Sequence, residues 1–275
     1  MAFSHTVSLE SDRLAVDHHL TKLLCLEGPT DGGIVHEAMR YAVLGKAQRI
    51  RPVLSLRVAR MFGAPEELTL SAAAAVELLH CASLIVDDLP CMDDDSFRRD
   101  RESVHVRYGE ATAILAAFGL VALAARSVVE DPFMERHRLR MLDFQILLLR
   151  TLDCAGLIAG QAMDLNLSNT NCMVSACEIS ELKTVPLFTL AVSAGALFVD
   201  LDQNEQALLS CFGREFGLAF QMSDDLLDGE QSDTEPLREK LTTLRAAIAP
   251  FGGASRDLEE LVDYLHARVS AQRSS

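Results

Sequence analysis

Apolar positions dominate one stretch of the chain above all others. The run LTLSAAAAVELLHCASLIVDD is hydrophobic almost all round, so its period predicts a helix over 67–87 that lies inside a bundle rather than on its surface. Elsewhere polar and apolar residues alternate at helical spacing, predicting further helices near 34–44, 51–61, 104–129, 133–164, 174–198, 203–228 and 255–271. Breaks fall at Gly63 to Pro65, Asp131-Pro132, Asn169 to Asn171 and Pro250 to Gly253. No repeat, low-complexity tract or Pro/Gly-rich linker divides the chain. The expectation is one all-α domain over 1–275, with an N-terminal arm at 1–30 and a shortened C-terminal part at 229–275.

Composition supports helices: 49% of residues are hydrophobic, only 5% are aromatic and Trp is absent. A formal net charge of −15 argues against a nucleic-acid surface, because phosphate backbones are held by clustered Lys and Arg. Seven cysteines (25, 81, 91, 154, 172, 177, 211) form no CxxC pair and read as buried free thiols rather than disulfides or a zinc site. The longest uncharged stretch, 111–125, is too short to cross a bilayer, so a soluble chain with no transmembrane segment is expected. The start MAFSHTVSLESDRL does not read as a targeting peptide.

Charge concentrates just after the apolar helix, in SLIVDDLPCMDDDSFRRDRESVH. Asp87 and Asp93 would face different ways on an unbroken helix, but Pro90 interrupts it, and a loosened turn would gather Asp87, Asp88 and Asp93 at the helix end. A second cluster, FQMSDDLLD, places Asp224 and Asp228 four apart on one helical face. Solvated helix ends are the plain alternative for either cluster taken singly. Carboxylates are hard ligands, and Mg²⁺ typically takes one or two of them while substrate phosphates and waters complete its shell. Two such clusters suit a diphosphate bridged by several metal ions.

Basic residues follow: Arg98, Arg99, Arg101 and His105 after the first cluster, and Arg49 and Arg51 at a helix start in QRIRP. Guanidinium groups recognise phosphate through paired hydrogen bonds, so both places read as anion corners. Lys183 in ELKTV is a lone cation in an apolar helix, which by itself reads as a surface lysine.

The ordered motifs IVHEAMRYAVLGKAQRIRPVL, SLIVDDLPCMDDDSFRR, YGEATAILA, GLIAGQAMDL, LKT and FGLAFQMSDDLLD resemble trans-isoprenyl diphosphate synthases, especially plant geranylgeranyl diphosphate synthases, over residues 34 to 228. The resemblance implies the isoprenoid synthase fold, an orthogonal helical bundle around a deep apolar pocket. It also implies chemistry in which an allylic diphosphate ionises, isopentenyl diphosphate attacks the cation, and a proton is lost. By the same resemblance Asp87, Asp88, Asp93, Asp224, Asp225 and Asp228 are the Mg²⁺ set, with Asp164 nearby. Arg98, Lys183, Gln221 and Gln161 would face the allylic diphosphate, and Arg51, Arg99 and His105 the isopentenyl diphosphate. No residue is singled out as catalytic.

Several positions depart from the catalytic pattern. Where that pattern has GGKRxRP, this chain has KAQRIRP, so Gln48 stands where a phosphate-gripping lysine is expected. PTNH is replaced by ESVH, placing Glu102 and Val104 beside His105, and the GD of the next helix is Ala117-Phe118. The stretch after Asp228 lacks the glycine-lysine elements that close over a diphosphate, and Lys240 is the only lysine near it. This resembles the plant small-subunit branch, of the type II or recruiting kind, whose members bind a catalytic geranylgeranyl diphosphate synthase in plastids. The paired CxxxC motifs of that branch are absent; Cys172 and Cys177 are five apart. Helix 104–129 is the candidate contact face.

Two readings stay open: a regulatory subunit in a heteromer, or an active Mg-dependent homodimeric synthase. The defects at Gln48, Val104 and the missing lysines favour the first, and the intact second aspartate cluster favours the second. A terpene cyclase fits poorly, since it would carry one aspartate-rich helix without the RIRP corner. Small residues at Ala82 and Ser83, one turn before Asp87, imply depth in any pocket present.

Overall fold

A computed structural model of the chain describes residues 2–25, 33–167, 176–229 and 231–272, and among them the regular structure is almost wholly α-helical. The fold is all-α, as the hydrophobic periodicity predicts. Its residues separate into two compact units, one of Met1–Val53 and Glu67–Leu148, the other of Leu54–Glu66 and Leu149–Ser275.

The first unit is built on α4 (Glu66–Asp87), in which every residue from Ser71 to Ala82 is buried. Around it are α1 (Ala2–Leu23), α2 (Gly33–Val43), the first turn of α3 (Ile50–Met61), α5 (Val104–Tyr108), α6 (Glu110–Val129) and most of α7 (Arg138–Leu152). Helix α2 packs on α6, and α5 on both. One face of α6 is left uncovered by the described residues of this unit: Ile114, Leu115 and Phe118 are exposed within about one turn, and Val129 about three turns further along. Between α4 and α5 lies a hairpin of two-residue strands, β1 (Phe97–Arg98) and β2 (Arg101–Glu102), paired antiparallel.

The second unit contains the rest of α3, α8 (Leu157–Leu167), α9 (Ala176–Lys183), α10 (Val185–Ala196), α11 (Gln203–Leu227), α12 (Glu235–Ile248) and α13 (Arg256–Gln272). Helix α11 opens on a capping box. Asp202 accepts the Glu205 N–H at 2.8 Å, and the Glu205 carboxylate accepts the Asp202 N–H at 2.9 Å, satisfying two orphan donors. Its inner face sets Phe216 and Phe220 against Phe188 of α10, with ring centroids 5.5 and 5.2 Å away, and Phe212 lies 5.7 Å from Phe216 on the same helix. The fully buried Arg57 of α3 donates to the Asp257 carbonyl at 2.7 Å and to Glu260 at 3.3 Å, docking the start of α13.

Several boundaries differ from expectation for local reasons. The predicted helix 104–129 breaks at Gly109, whose φ of +86° a side chain would oppose. The predicted 174–198 divides after Lys183 because Pro186 in the first turn of α10 has no N–H to continue a helix. The predicted 133–164 resolves into a 3₁₀ turn (Pro132–His137), α7 and α8, and the 1–30 arm contains a helix, α1. Helix α12 forms where none was expected, its buried Leu237, Leu241 and Leu244 spaced at helical intervals. The break at Asn169 to Asn171 and Cys172 lie outside the described residues.

Two readings need correction. Of the five cysteines described, only Cys81 is buried, and burial first, then Glu77, pushes its thiol up to about 12; Cys25, Cys91, Cys154 and Cys211 are exposed. Three stretches, Glu66–Asp87, Glu110–Val129 and Glu135–Leu165, are long and apolar enough by composition to cross a membrane, because isolated charges do not disqualify a helix; α4 is largely buried within its unit.

Candidate functional site

In the first unit the end of α4 delivers the first aspartate cluster. The helix stops at Asp87, the chain turns through Pro90, and the Asp93 N–H donates to the Asp87 carbonyl at 2.9 Å, so the turn does return Asp93 to the helix end. Asp88 is buried and accepts from Arg98 Nε at 2.9 Å, while Arg98 also reaches Asp95 at 2.8 Å. Burial raises the Asp88 carboxyl above the usual range despite the opposing pull of Arg98 and His105. Asp93 is exposed.

The basic residues reach this place on the hairpin. Its turn is Arg99-Asp100, with φ of +55° and +62°, the two-positive-φ geometry that matches strand twist and is usually built from Asn-Gly. Arg99 lines a cavity of about 40 Å³ with Tyr41, Cys81, Asp88, Arg98 and Ser103. His105 Nδ1 is 3.0 Å from Ser103 Oγ, and Arg51 Nη1 is 3.2 Å from His80 Nε2. Burial, followed by the charges of Arg51, Arg99, Arg49 and Arg98, holds the His80 imidazole well below its ordinary value. A neutral ring accepts the Arg51 N–H; of the four arginines that act on it, Arg49 and Arg98 are themselves paired with carboxylates.

Arg49 does not belong to that anion corner, which corrects the reading of QRIRP. It is buried with φ +55°, donating to Glu77 at 2.7 Å and Asp17 at 2.8 Å and reaching the Val43 carbonyl. Arg51 alone of the pair lies beside His80. Gln48 is exposed, Val104 is buried, Ala117 is buried and Phe118 exposed.

In the second unit Asp164 and Lys183 form an ion pair, bringing α8 and α9 together. Gln221 bridges two elements: its Oε1 accepts from Thr184 Oγ1 at 3.0 Å and its Nε2 donates to Asp225 Oδ1 at 2.8 Å. Arg268 of α13 donates to Asp224 Oδ1 at 2.6 Å and Ser223 Oγ at 3.0 Å, with its guanidinium 4.9 Å from the Phe220 ring centroid. Asp228 caps α11 with its side chain exposed, and Gln161 is half-buried on α8. Lys240 donates to the buried Glu215 at 2.6 Å.

Carboxylate oxygens suit a hard dication, so the donor chemistry of both clusters fits Mg²⁺. Among the described residues, however, no group of three or more His, Cys, Asp or Glu is gathered as a ready cage. Sequence reasoning missed His80, Glu77, Tyr41 and Arg268. Glu77 and His80 carried a signal, two polar residues three apart in an apolar helix, because polar groups buried there need partners.

Residues 33–240 match the Polyprenyl synthetase family. Geranylgeranyl pyrophosphate synthase 6, mitochondrial, of Arabidopsis thaliana is 38% identical over 207 residues, covering 73% of this chain and 62% of the relative. The heterodimeric geranylgeranyl pyrophosphate synthase large subunit 2 of the same plant is 38% identical over 205 residues, covering 73% and 54%. The chain therefore spans less than two thirds of the length of these relatives. Among solved structures, an FPP/GFPP synthase from Zymomonas mobilis superposes with a TM-score of 0.86 at 29% identity, covering 96% of this chain and 99% of that one. A geranyltransferase from Legionella pneumophila gives 0.86 at 27% identity, with 97% and 99% covered. The chain belongs to the polyprenyl synthetase family.

Proposed function

We propose that this chain is a subunit with little or no turnover of its own, which associates with a catalytic geranylgeranyl diphosphate synthase and alters its rate, product length or location in the plastid. The observation that carries this reading is Lys240. It is the one lysine in the given sequence after the second aspartate cluster, and its ammonium donates to the buried Glu215 at 2.6 Å, which supports a role in the fold rather than as a closing cation over a diphosphate. Gln48 removes a second cation from the anion corner. The exposed apolar face of α6 offers a surface for a partner. Relatives support the setting: one is named a heterodimeric large subunit, and others are named chloroplastic or mitochondrial.

Prenyl diphosphates remain in the picture as ligands. Arg51, Arg99 and His105 would take isopentenyl diphosphate. Arg98, Lys183, Gln221 and Gln161 would take the allylic one, with guanidinium forks matching phosphate oxygens. Asp87, Asp88, Asp93, Asp224, Asp225 and Asp228 would hold Mg²⁺, whose chemistry is to offset the charge of a leaving diphosphate. The second reading, an active homodimeric Mg-dependent synthase, is favoured by those six carboxylates being intact.

One experiment separates the two. The purified chain is given Mg²⁺, isopentenyl diphosphate and each allylic diphosphate, alone and mixed with a plant geranylgeranyl diphosphate synthase. Silence alone with changed rate or product length in the mixture is expected; turnover alone at the level of ordinary family members rejects the regulatory reading.

A further inference from the structure

Tyr41, on α2, grips the hairpin from several sides. Its hydroxyl donates to the Glu102 carbonyl at 2.9 Å, and its own carbonyl accepts from Arg101 Nη2 at 2.7 Å. Its ring lies near two guanidinium groups, Arg101 at 4.2 Å and Arg107 at 4.7 Å from the centroid, and Tyr108 meets it edge-on at 5.5 Å. Gly45 makes room for this arrangement, since a Cβ there would lie 2.1 Å from Arg101 Nη2.

The hairpin needs such a grip. Two strands of two residues do not hold a register by themselves, and a turn of two L-residues at positive φ works against folding locally. Wherever this turn points, Arg99 points. In the folded chain it lines the cavity beside Asp88 and acts on His80. Arg98, Arg99 and Arg101 all line that cavity, but Arg98 is engaged by Asp88 and Asp95 and Arg101 by Tyr41, which leaves Arg99 as the one hairpin arginine of the three without a hydrogen-bond or ion-pair partner among the described residues.

We propose that Tyr41 is a positioning residue: by clasping Arg101, Glu102 and Arg107 it fixes the 97–102 hairpin so that Arg99 is presented to a diphosphate group. The proposal rests on the anion-binding role given above to Arg99, and its test separates the two. Hydrogen exchange at residues 97–103, read by mass spectrometry, and affinity for inorganic pyrophosphate, read by calorimetry, are measured on the full chain and on Tyr41→Phe, Tyr41→Leu and Arg107→Gln. The ring face is kept in Tyr41→Phe, so its hairpin exchange and pyrophosphate affinity stay within about threefold of wild type. Tyr41→Leu loses the face and the hydroxyl together. Its hairpin exchanges at least about tenfold faster and its affinity drops about tenfold. Arg107→Gln, an exposed change that leaves folding intact, falls between and stands in should Tyr41→Leu not fold.

Unchanged hairpin exchange in Tyr41→Leu or, failing that, in Arg107→Gln overturns the clasp. Faster exchange with unchanged affinity overturns the positioning role while leaving the anion site standing. A wild-type chain that does not bind pyrophosphate overturns the anion reading and the positioning role with it, whatever the exchange shows.

Discussion

Arg49 and Glu77 form an ion pair sealed from water, Nη1 to Oε1 at 2.7 Å, with side chains 1% and 2% exposed. Desolvation pulls the Arg49 guanidinium down, yet the charge and hydrogen bond of Glu77, with help from Asp17, overcome it and leave the group above its ordinary value. The pair joins α4 to the loop that starts α3, while Asp17 ties in α1. Removing one partner strands a buried charge, so Glu77→Ala is expected to cost about 3–5 kcal/mol in urea denaturation. Asp17→Asn, a third exposed, costs less than about 1 kcal/mol. Equal small losses from both would mean water reaches Arg49 in solution.

His80 gives the fold an acid-sensitive point. Its folded value lies well below 6.5, with burial as the leading cause and the surrounding arginines next, so the unfolded chain binds this proton more readily than the folded one. The sign follows: the stabilisation is complete above about pH 6.5 and is lost as pH falls from there toward the folded value, by up to about 1.4 kcal/mol per pH unit. Asp88, raised by burial, works in the opposite direction over its own lower range. Comparing His80→Gln with wild type isolates the histidine, because Asp88 is common to both. Denaturation midpoints between pH 7 and 5.5 should fall more steeply for wild type; parallel curves would remove His80 as the cause.

Asp100 occupies φ +62°, where glycine is at no disadvantage. Its side chain is exposed, and among the described residues no side-chain hydrogen bond or ion pair involves it. Asp100→Gly relieves the left-handed strain at the hairpin turn, a gain of about 0.5–1 kcal/mol after the added freedom of the unfolded chain is counted. A raised midpoint in guanidinium denaturation is expected. A lowered one would show that the aspartate carboxylate stabilises the turn.

Much of this architecture was legible in the sequence because burial writes a period. The run from Ser71 to Ala82 announced the core of the first unit, and Pro90 announced the turn that returns Asp93 to Asp87. The hairpin was not legible, since two-residue strands carry no alternation and Arg99-Asp100 is not a usual positive-φ turn. Arg49 was misplaced for a different reason. Its neighbours in sequence suggest an anion corner, but its direction is decided by Glu77, 28 positions away. Helix α12 was overlooked because TEPLREKLTTL resembles a solvated segment until Leu237, Leu241 and Leu244 find the core.

Lys240 tests whether the region after the second aspartate cluster has a ligand role. Glu215 is buried and accepts from Lys240 at 2.6 Å and from Arg214 at 2.9 Å. Lys240→Ala removes one of these partners, at an expected cost of about 1–3 kcal/mol in thermal or urea melts. Pyrophosphate affinity should stay within about twofold of wild type, because the ammonium is committed to the fold. A large loss of affinity with unchanged stability would make Lys240 a diphosphate ligand and return weight to the active-synthase reading.

Phe118 is the most informative residue on the α6 face. It is 69% exposed, with Leu115 and Ile114 one turn away, and the same helix buries Ala113, Ala116, Ala117 and Leu120 on its other side. An apolar stripe of this kind gains from association, since each large side chain covered contributes about 1.5–3 kcal/mol. Phe118→Asp combined with Leu115→Asp should therefore leave the isolated fold within about 0.5 kcal/mol of wild type while weakening a complex with a catalytic synthase at least about thirtyfold. Light scattering on size-separated mixtures reads the complex directly. Should the double variant bind as tightly as wild type, the partner sits elsewhere. If the mixture shows only paired copies of this chain, broken by the same change, the face serves a homodimer and the heteromeric reading gives way.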